Sequence, residues 1–351
     1  MTQLGIMIEG QDGLNWQRWK ALLQTAEDCG YQSVFRSDHF SNASGPDKDS
    51  LEMWTSLAYA ASHTQTIEFG PLVAPVTFRH PAMNLRYAAA IDDLSGGRLV
   101  LGIGAGWNEY EHRKFGIPFH DFTTRYRMLE ESLQLSRSLL RSDEPVNFDG
   151  EFYHLNDAIL LPRPARRNGP PILIGGNGPK RTLPLAAKYA DEWNAVYVNL
   201  PTYKELRALM EQYLGEQNRA LDDLKFSLMT RIVYRPTQAS LNAYLHDSGI
   251  SEEARHGGAM IVGTANEVID QIAARAEAGV QRIMLQWMEM DDLEHLELLA
   301  RDVLSHFAPK AMKQRGKSRA QKSRRRSGRQ IARRARKAPN MPRAPKVRRK
   351  R

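Results

Sequence analysis

Cysteine is almost missing from this chain. Cys29 is the only one in 351 residues, so no intrachain disulfide can form and a thiolate metal site has no basis. No apolar run approaches the ~18 to 20 residues that a membrane helix needs. The opening MTQLGIMIEG lacks the basic start and apolar stretch of a secretory signal. The ten histidines are scattered, with no H-E-x-x-H or comparable spacing, so no metal site is expected. No G-x-S-x-G elbow supports serine hydrolysis either. A cytoplasmic enzyme is the plain expectation.

Acidic residues are missing from the C-terminal segment, which is also densely basic. Residues 310–351 hold 20 of the 49 Lys and Arg and no Asp or Glu. Residues 1–309 therefore carry 29 basic against 40 acidic groups, and the formal charge of +9 belongs wholly to the tail. Two parts follow: a body over 1–309 and a basic tail over 310–351, whose composition predicts disorder. The tail reads either as a sequence-blind electrostatic arm for nucleic acid, or as a solvated extension or out-of-frame translation past the true stop. Nothing in the body suggests nucleic-acid binding.

Hydrophobic residues make up 42% of the chain, enough for a substantial core. Apolar, β-branched runs alternate with helical patterns. Strands are predicted at 4–10, 33–38, 67–75, 98–106, 171–176, 192–198, 226–234 and 282–287. Most are apolar throughout, as in a parallel sheet covered on both faces. Amphipathic helices are predicted at 16–30, 82–97, 125–142 and 264–280, the first two closing on glycine. Eight strands with helices between them indicate an α/β fold, a (β/α)8 TIM-type barrel with insertions, and an open doubly wound sheet is the alternative. The insertions are 143–170, with a hairpin in FDGEFYHL, and 235–262, a long polar stretch.

In such a barrel the strands' C-terminal ends form the working face. Those ends carry Glu9, Asp38 and His39, Trp107 and Asn108, Asn177, and Gln286 and Trp287. Singly, each is more often turn punctuation; gathered on one rim they favour a site. Gly102, Gly104 and Gly106 in LGIGAGW let a flat ligand or another backbone come close. In ILIGGNGPKRT, Pro179 sits at a helix N1 position, with Lys180 and Arg181 in the first turn. Basic residues there oppose the helix dipole unless an anion binds, so the turn reads as a phosphate cradle; a solvent-facing glycine-rich turn is the alternative. GTANEV (263–268) is a rival anion site, but its turn is acidic. Pro71 and Pro75 inside the third strand predict a bulge. Arg79 and His80 follow it, with Pro81 holding His80 extended.

Taken in order, MIEGQ, RSDHF, GPLVAPVTFRHP, DDLSGGRLVLGIGAGWNEYE, PPILIGGNGPKRTLPLAAKYADEWN and GTANEVIDQI resemble the luciferase-like monooxygenase family over about residues 3 to 308. MIEGQ and SDHF are most similar to the branch that uses the deazaflavin coenzyme F420, and GAGW is shared with FMN-dependent members. The resemblance implies a barrel holding F420, or alternatively FMN, at its C-terminal face. It implies a non-prolyl cis peptide at Pro71–Leu72, with Pro71, Leu72 and Val73 backing the ring. Gly104, Ala105 and Gly106 then line the cofactor, and Gly175, Gly176, Asn177, Gly178, Lys180 and Arg181 take its phosphate. Asp38 and His39 become the catalytic pair, with His39 as general acid/base and Asp38 orienting it or fixing its charge. Glu9, His80, Trp107, Asn108 and Trp287 shape the pocket for a small organic substrate. The implied reaction is hydride transfer between F420 and that substrate. Alternatives are a two-component FMN-dependent monooxygenase and a non-catalytic flavin-binding barrel. A flavin or F420 reductase partner and a homodimer also follow from the resemblance.

Overall fold

The computed structural model describes residues 2–307. The expectations for the basic segment 310–351 lie outside the described residues. Among those residues no helix is long and apolar enough to cross a membrane.

Apolar runs become strands where predicted, most a little shorter than their runs and β10 one residue longer than its own. They are β1 (Gln3–Ile8), β2 (Ser33–Arg36), β3 (Glu68–Pro71), β4 (Ala74–Pro75) and β5 (Leu101–Gly104). An antiparallel hairpin follows, β6 (Val146–Asp149) with β7 (His154–Ala158). The chain then returns to the parallel sheet with β8 (Ile172–Gly175), β9 (Glu192–Val196), β10 (Lys225–Tyr234), β11 (Ile261–Gly263) and β12 (Arg282–Gln286). Helices α1 (Trp16–Cys29), α2 (Met53–His63), α3 (Pro81–Ser95), α4 (Glu109–Phe115), α5 (Phe122–Arg141) and α6 (Thr182–Tyr189) lie between strands. So do α7 (Leu200–Glu216), α8 (Gln238–Asp247), α9 (Glu252–His256) and α10 (Ala265–Glu277), and α11 (Leu293–Leu299) follows β12. Gly30 and Gly96 end α1 and α3 with φ of 84° and 67°, left-handed values that glycine adopts without a Cβ penalty.

β12 pairs in parallel with β1, from Gln3 opposite Arg282 to Met7 opposite Gln286, so first and last strands meet in the middle of the strand order. The ends of that order are β3 and β4, two halves of one stave, and their junction closes the barrel and excludes the open-sheet alternative. β3 pairs with β2, β4 with β5, and a bridge from Phe69 to Leu99 ties β3 to the segment leading into β5. The long insertion forms α8, α9 and the three-residue β11, which pairs with the far end of β10. Its brevity hid it from a pattern-based reading.

Inside the barrel, Met7, Phe35, Leu72, Val100, Leu173, Met229 and Met284 form a buried apolar layer. Because side chains alternate along a strand, Glu9, Arg231 and Gln286 occupy the next inward level towards the C-terminal mouth. Backbone packs closely against backbone where β3 meets β5. A Cβ on Gly70 would lie 1.9 Å from the Val100 carbonyl oxygen, and one on Gly102 would lie 2.2 Å from the Pro71 carbonyl oxygen. Both neighbours are backbone and cannot swing aside. Gly70→Ala is therefore expected to cost about 1 to 3 kcal/mol through overpacking. Urea unfolding checks this: the midpoint should fall with its slope unchanged, and an unaltered midpoint would refute it.

Candidate active site

The polar mouth is assembled strand end by strand end. Ser37, just past β2, accepts the Gly10 N–H at 2.8 Å and donates to Gln11 Oε1 at 2.7 Å. Gln11 Nε2 donates to Glu9 at 3.0 Å, and Gln286 Nε2 donates to the other Glu9 oxygen at 2.6 Å. The Tyr197 hydroxyl donates to Gln286 Oε1. One chain of hydrogen bonds thus runs along the rim from beyond β2 through β1 and β12 to β9.

His39 and Asp38 come to this rim together, as expected, but serve different partners. Asp38 is buried and receives Arg79 in a forked pair, Nη1 to Oδ2 at 2.5 Å and Nη2 to Oδ1 at 3.2 Å. Burial raises its pKa, and the guanidinium of Arg79 opposes that rise. It does not orient His39. That role falls to Glu111, fully buried in α4, whose Oε1 receives His39 Nδ1–H at 2.8 Å and whose Oε2 receives the Phe40 N–H at 2.9 Å. Burial pushes the His39 imidazole down, but the hydrogen bond and charge of Glu111 outweigh it, and the net shift is upward. Nε2 makes no hydrogen bond among the described residues. His39 lines an open cavity of about 440 Å³ with Gln11, Ser41, Asn42, Trp107 and Asn108.

Glu111 was missed because it lies 72 residues from His39. Its one sequence signal is a carboxylate within the short EYEHRKF pattern just after the glycine-rich strand. Gly106, at φ 76°, turns the chain from β5 towards α4. His112 fixes the helix by donating Nδ1–H to the Asn108 carbonyl and accepting the Thr77 hydroxyl at Nε2, both at 2.7 Å.

With the geometry described, sequence similarity decides the affiliation. The model of the family described as luciferase-like monooxygenase matches residues 2–282. The chain belongs to that family. Relatives of this luciferase-like chain include the FMNH2-dependent dimethylsulfone monooxygenase of Pseudomonas putida, 22% identical over 81% of this chain and 86% of that one. An F420-dependent glucose-6-phosphate dehydrogenase of Intrasporangium calvum is 29% identical over 66% of this chain and 71% of that one. Among solved structures, an F420-dependent secondary alcohol dehydrogenase superposes with a TM-score of 0.74 at 21% identity, over 86% of this chain and 98% of that one. That likeness establishes the barrel.

Several expectations for this luciferase-like chain need correction. The cis peptide is Leu72–Val73, not Pro71–Leu72. Leu72 N–H still donates to the Arg36 carbonyl, so pairing with β2 runs one residue further before the chain crosses to β5. Gly104 meets protein: a Cβ there would lie 2.5 Å from Val73 Cγ2. Ala105 packs against the core. Helix α6 starts at Thr182, so Pro179, Lys180 and Arg181 form an exposed turn before it, and the dipole conflict disappears. Asn177 is fastened to β9, accepting Val196 N–H at 2.9 Å and donating to the Val196 carbonyl at 2.7 Å. Trp287, 1% exposed, sits in the core with Nε1–H on the Glu289 carbonyl, away from the cavity. His80 caps α3, accepting Ala82 N–H at 3.2 Å, and does not line the cavity. Trp107 does line it, 65% exposed, its ring edge-on to His39 at 5.3 Å between centroids.

The turn after β8 still fits a phosphate. The N–H groups of Asn177, Gly178 and Lys180 make no hydrogen bond among the described residues, and Lys180 and Arg181 carry exposed charge beside them. The rival turn is already filled, because Glu267 accepts the Thr264 N–H at 2.7 Å and caps α10 itself.

Proposed function

We propose that this chain is an F420-dependent oxidoreductase that transfers hydride between the deazaflavin and a small organic substrate. The carrying observation is the His39–Glu111 pair, with Nδ1 fastened to a buried carboxylate and Nε2 without a protein partner on a residue that lines the cavity. A bound deazaflavin supplies the hydride acceptor or donor at its C5. The protein's part is to hold the ligands and to move a proton. Leu72 and Val73 offer an apolar backing at the barrel mouth, and the N–H groups of Asn177, Gly178 and Lys180 would take phosphate oxygens. His39 Nε2 would accept the proton of a substrate hydroxyl, or return it to a carbonyl, while Glu111 keeps the ring oriented and stabilises its charged form. Trp107 screens the imidazole from one side.

FMN-dependent oxygenation is the second reading, favoured by the coverage of the dimethylsulfone monooxygenase relative. Fluorescence titration of the full chain with F420 and with FMN, each oxidised and reduced, separates the two. F420 is expected to bind at least tenfold more tightly. Preference for reduced FMN would overturn the hydride reading and make oxygen activation the reaction to assay.

A further inference from the structure

Arg231 is the exception among the arginines. Every other arginine that is buried or half-buried among the described residues donates a hydrogen bond or makes an ion pair; Arg36 reaches Ser56, Arg79 reaches Asp38, Arg235 reaches Glu289. Arg231 is half-buried, makes neither, and its Nε is buried without a partner. The two terminal nitrogens of Arg231 are not buried and stay open to solvent. A buried guanidinium N–H without an acceptor is costly, and native structures keep such a group where something else supplies the acceptor.

Its place in the barrel says where that acceptor would sit. Arg231 stands opposite Gln286 in the β10–β12 register, two residues beyond Met229 of the interior apolar layer, so it faces the mouth. Gln286 is the link between Glu9 and Tyr197. The Tyr197 hydroxyl is pushed up to about 12 by burial and then by Glu9, while Arg231 pulls it down, so the phenol feels both charges. Yet no carboxylate lies within ion-pair reach of Arg231; both Glu9 oxygens are engaged by Gln11 and Gln286. A planar fork of donors of this kind matches the two oxygens of a carboxylate, sulfonate or phosphate. The phosphate-fitting turn after β8 belongs to a different stave, two removed in the barrel order from β10.

We infer that Arg231 is a specificity residue, the anchor for an oxyanion group on the organic substrate at the barrel mouth. The inference rests on the hydride-transfer reading for the word substrate, while the anion subsite itself stands on the unpartnered guanidinium. The same oxyanion chemistry could come from the cofactor's acidic tail, and the test separates the two sources.

Full-length chain labelled with 15N-arginine is titrated with sodium sulfate against sodium chloride at matched ionic strength. The Arg231 Nε–H signal is identified by its loss in Arg231→Gln and in Arg231→Lys. Sulfate is expected to shift that signal saturably and chloride is not. Kd values for F420, and for the deazaflavin lacking its phosphodiester tail, are expected to change less than twofold in Arg231→Gln. The thermal midpoint of that variant is expected to equal or exceed that of the parent. An unmoved Nε–H signal overturns the inference. So does a tenfold loss of F420 affinity with the tail-less ring unaffected, which would assign Arg231 to the cofactor. A midpoint several degrees lower would assign it a structural role and overturn the inference as well. If FMN binds and F420 does not, the hydride reading fails while the sulfate response still reports the subsite.

Discussion

Replacing Glu111 by Gln should lower turnover by about 10²- to 10³-fold while leaving the cavity's shape intact, the range expected for losing a positioned acid/base partner. Gln keeps an acceptor for the Phe40 N–H but loses the charge that raises the His39 pKa. With burial less opposed, the His39 pKa should drop. The pH profile tells this apart from a packing defect. A raised folded-state pKa contributes stability that is full below the unfolded pKa and lost as pH rises through the folded one. The parent should therefore lose stability across the His39 titration, and Glu111→Gln should lack that loss. Imidazole NMR titration gives the shift directly, and the limb of the rate profile set by His39 should move to lower pH. An unmoved imidazole, or turnover within threefold of the parent, would remove Glu111 from the mechanism. His39→Ala should be inactive with cofactor affinity retained.

The second large effect concerns stability. Arg79→Met should cost about 3 to 5 kcal/mol near neutral pH, because it strands the Asp38 carboxylate in the interior. The forked pair spans the third stave and the end of β2, and Asp38 is only 3% exposed. Removing the guanidinium also takes away the main influence that restrains the upward shift of Asp38. A carboxyl whose folded pKa lies above its unfolded value costs more stability as pH rises through that interval. The deficit should therefore shrink on acidification, as Asp38 protonates. Asp38→Asn combined with Arg79→Met should recover much of the loss, since no unpaired carboxylate is left at position 38, while Arg36 keeps its hydrogen bond to Ser56. Urea unfolding of the single and double variants at several pH values checks both points. A loss near 1 kcal/mol, as for an exposed pair, would show that Asp38 tolerates solitude.

The staves were legible because each is a short apolar run flanked by turn residues, a pattern that burial on both faces imposes. Closure was not legible, since β1–β12 pairing joins residues 279 apart and leaves no local trace. The bulge was visible through Pro71 and Pro75, but its peptide was misplaced by one because Leu72 keeps a backbone bond to Arg36 that no side chain announces. His39 was found by its place after a strand. Its true partner arrives on a helix whose burial depends on Gly106 and His112, and nearness in sequence suggested Asp38 instead. Lys180 and Arg181 show the opposite error, where a proline at a plausible helix start displaced the helix by three residues. Arg231 raised no signal, because an unpaired charge becomes visible only once every neighbour is known.

The Glu9–Gln286 hydrogen bond joins side chains 277 residues apart. During synthesis β1 emerges first and can pair with β2 early, but its other edge has no neighbour until residues 282–286 leave the ribosome. For most of translation the growing chain therefore carries an apolar strand with one open edge, a surface prone to pairing with other chains. The rim that would bind ligand is complete only when the last stave arrives, so binding can favour the finished barrel and none of its precursors.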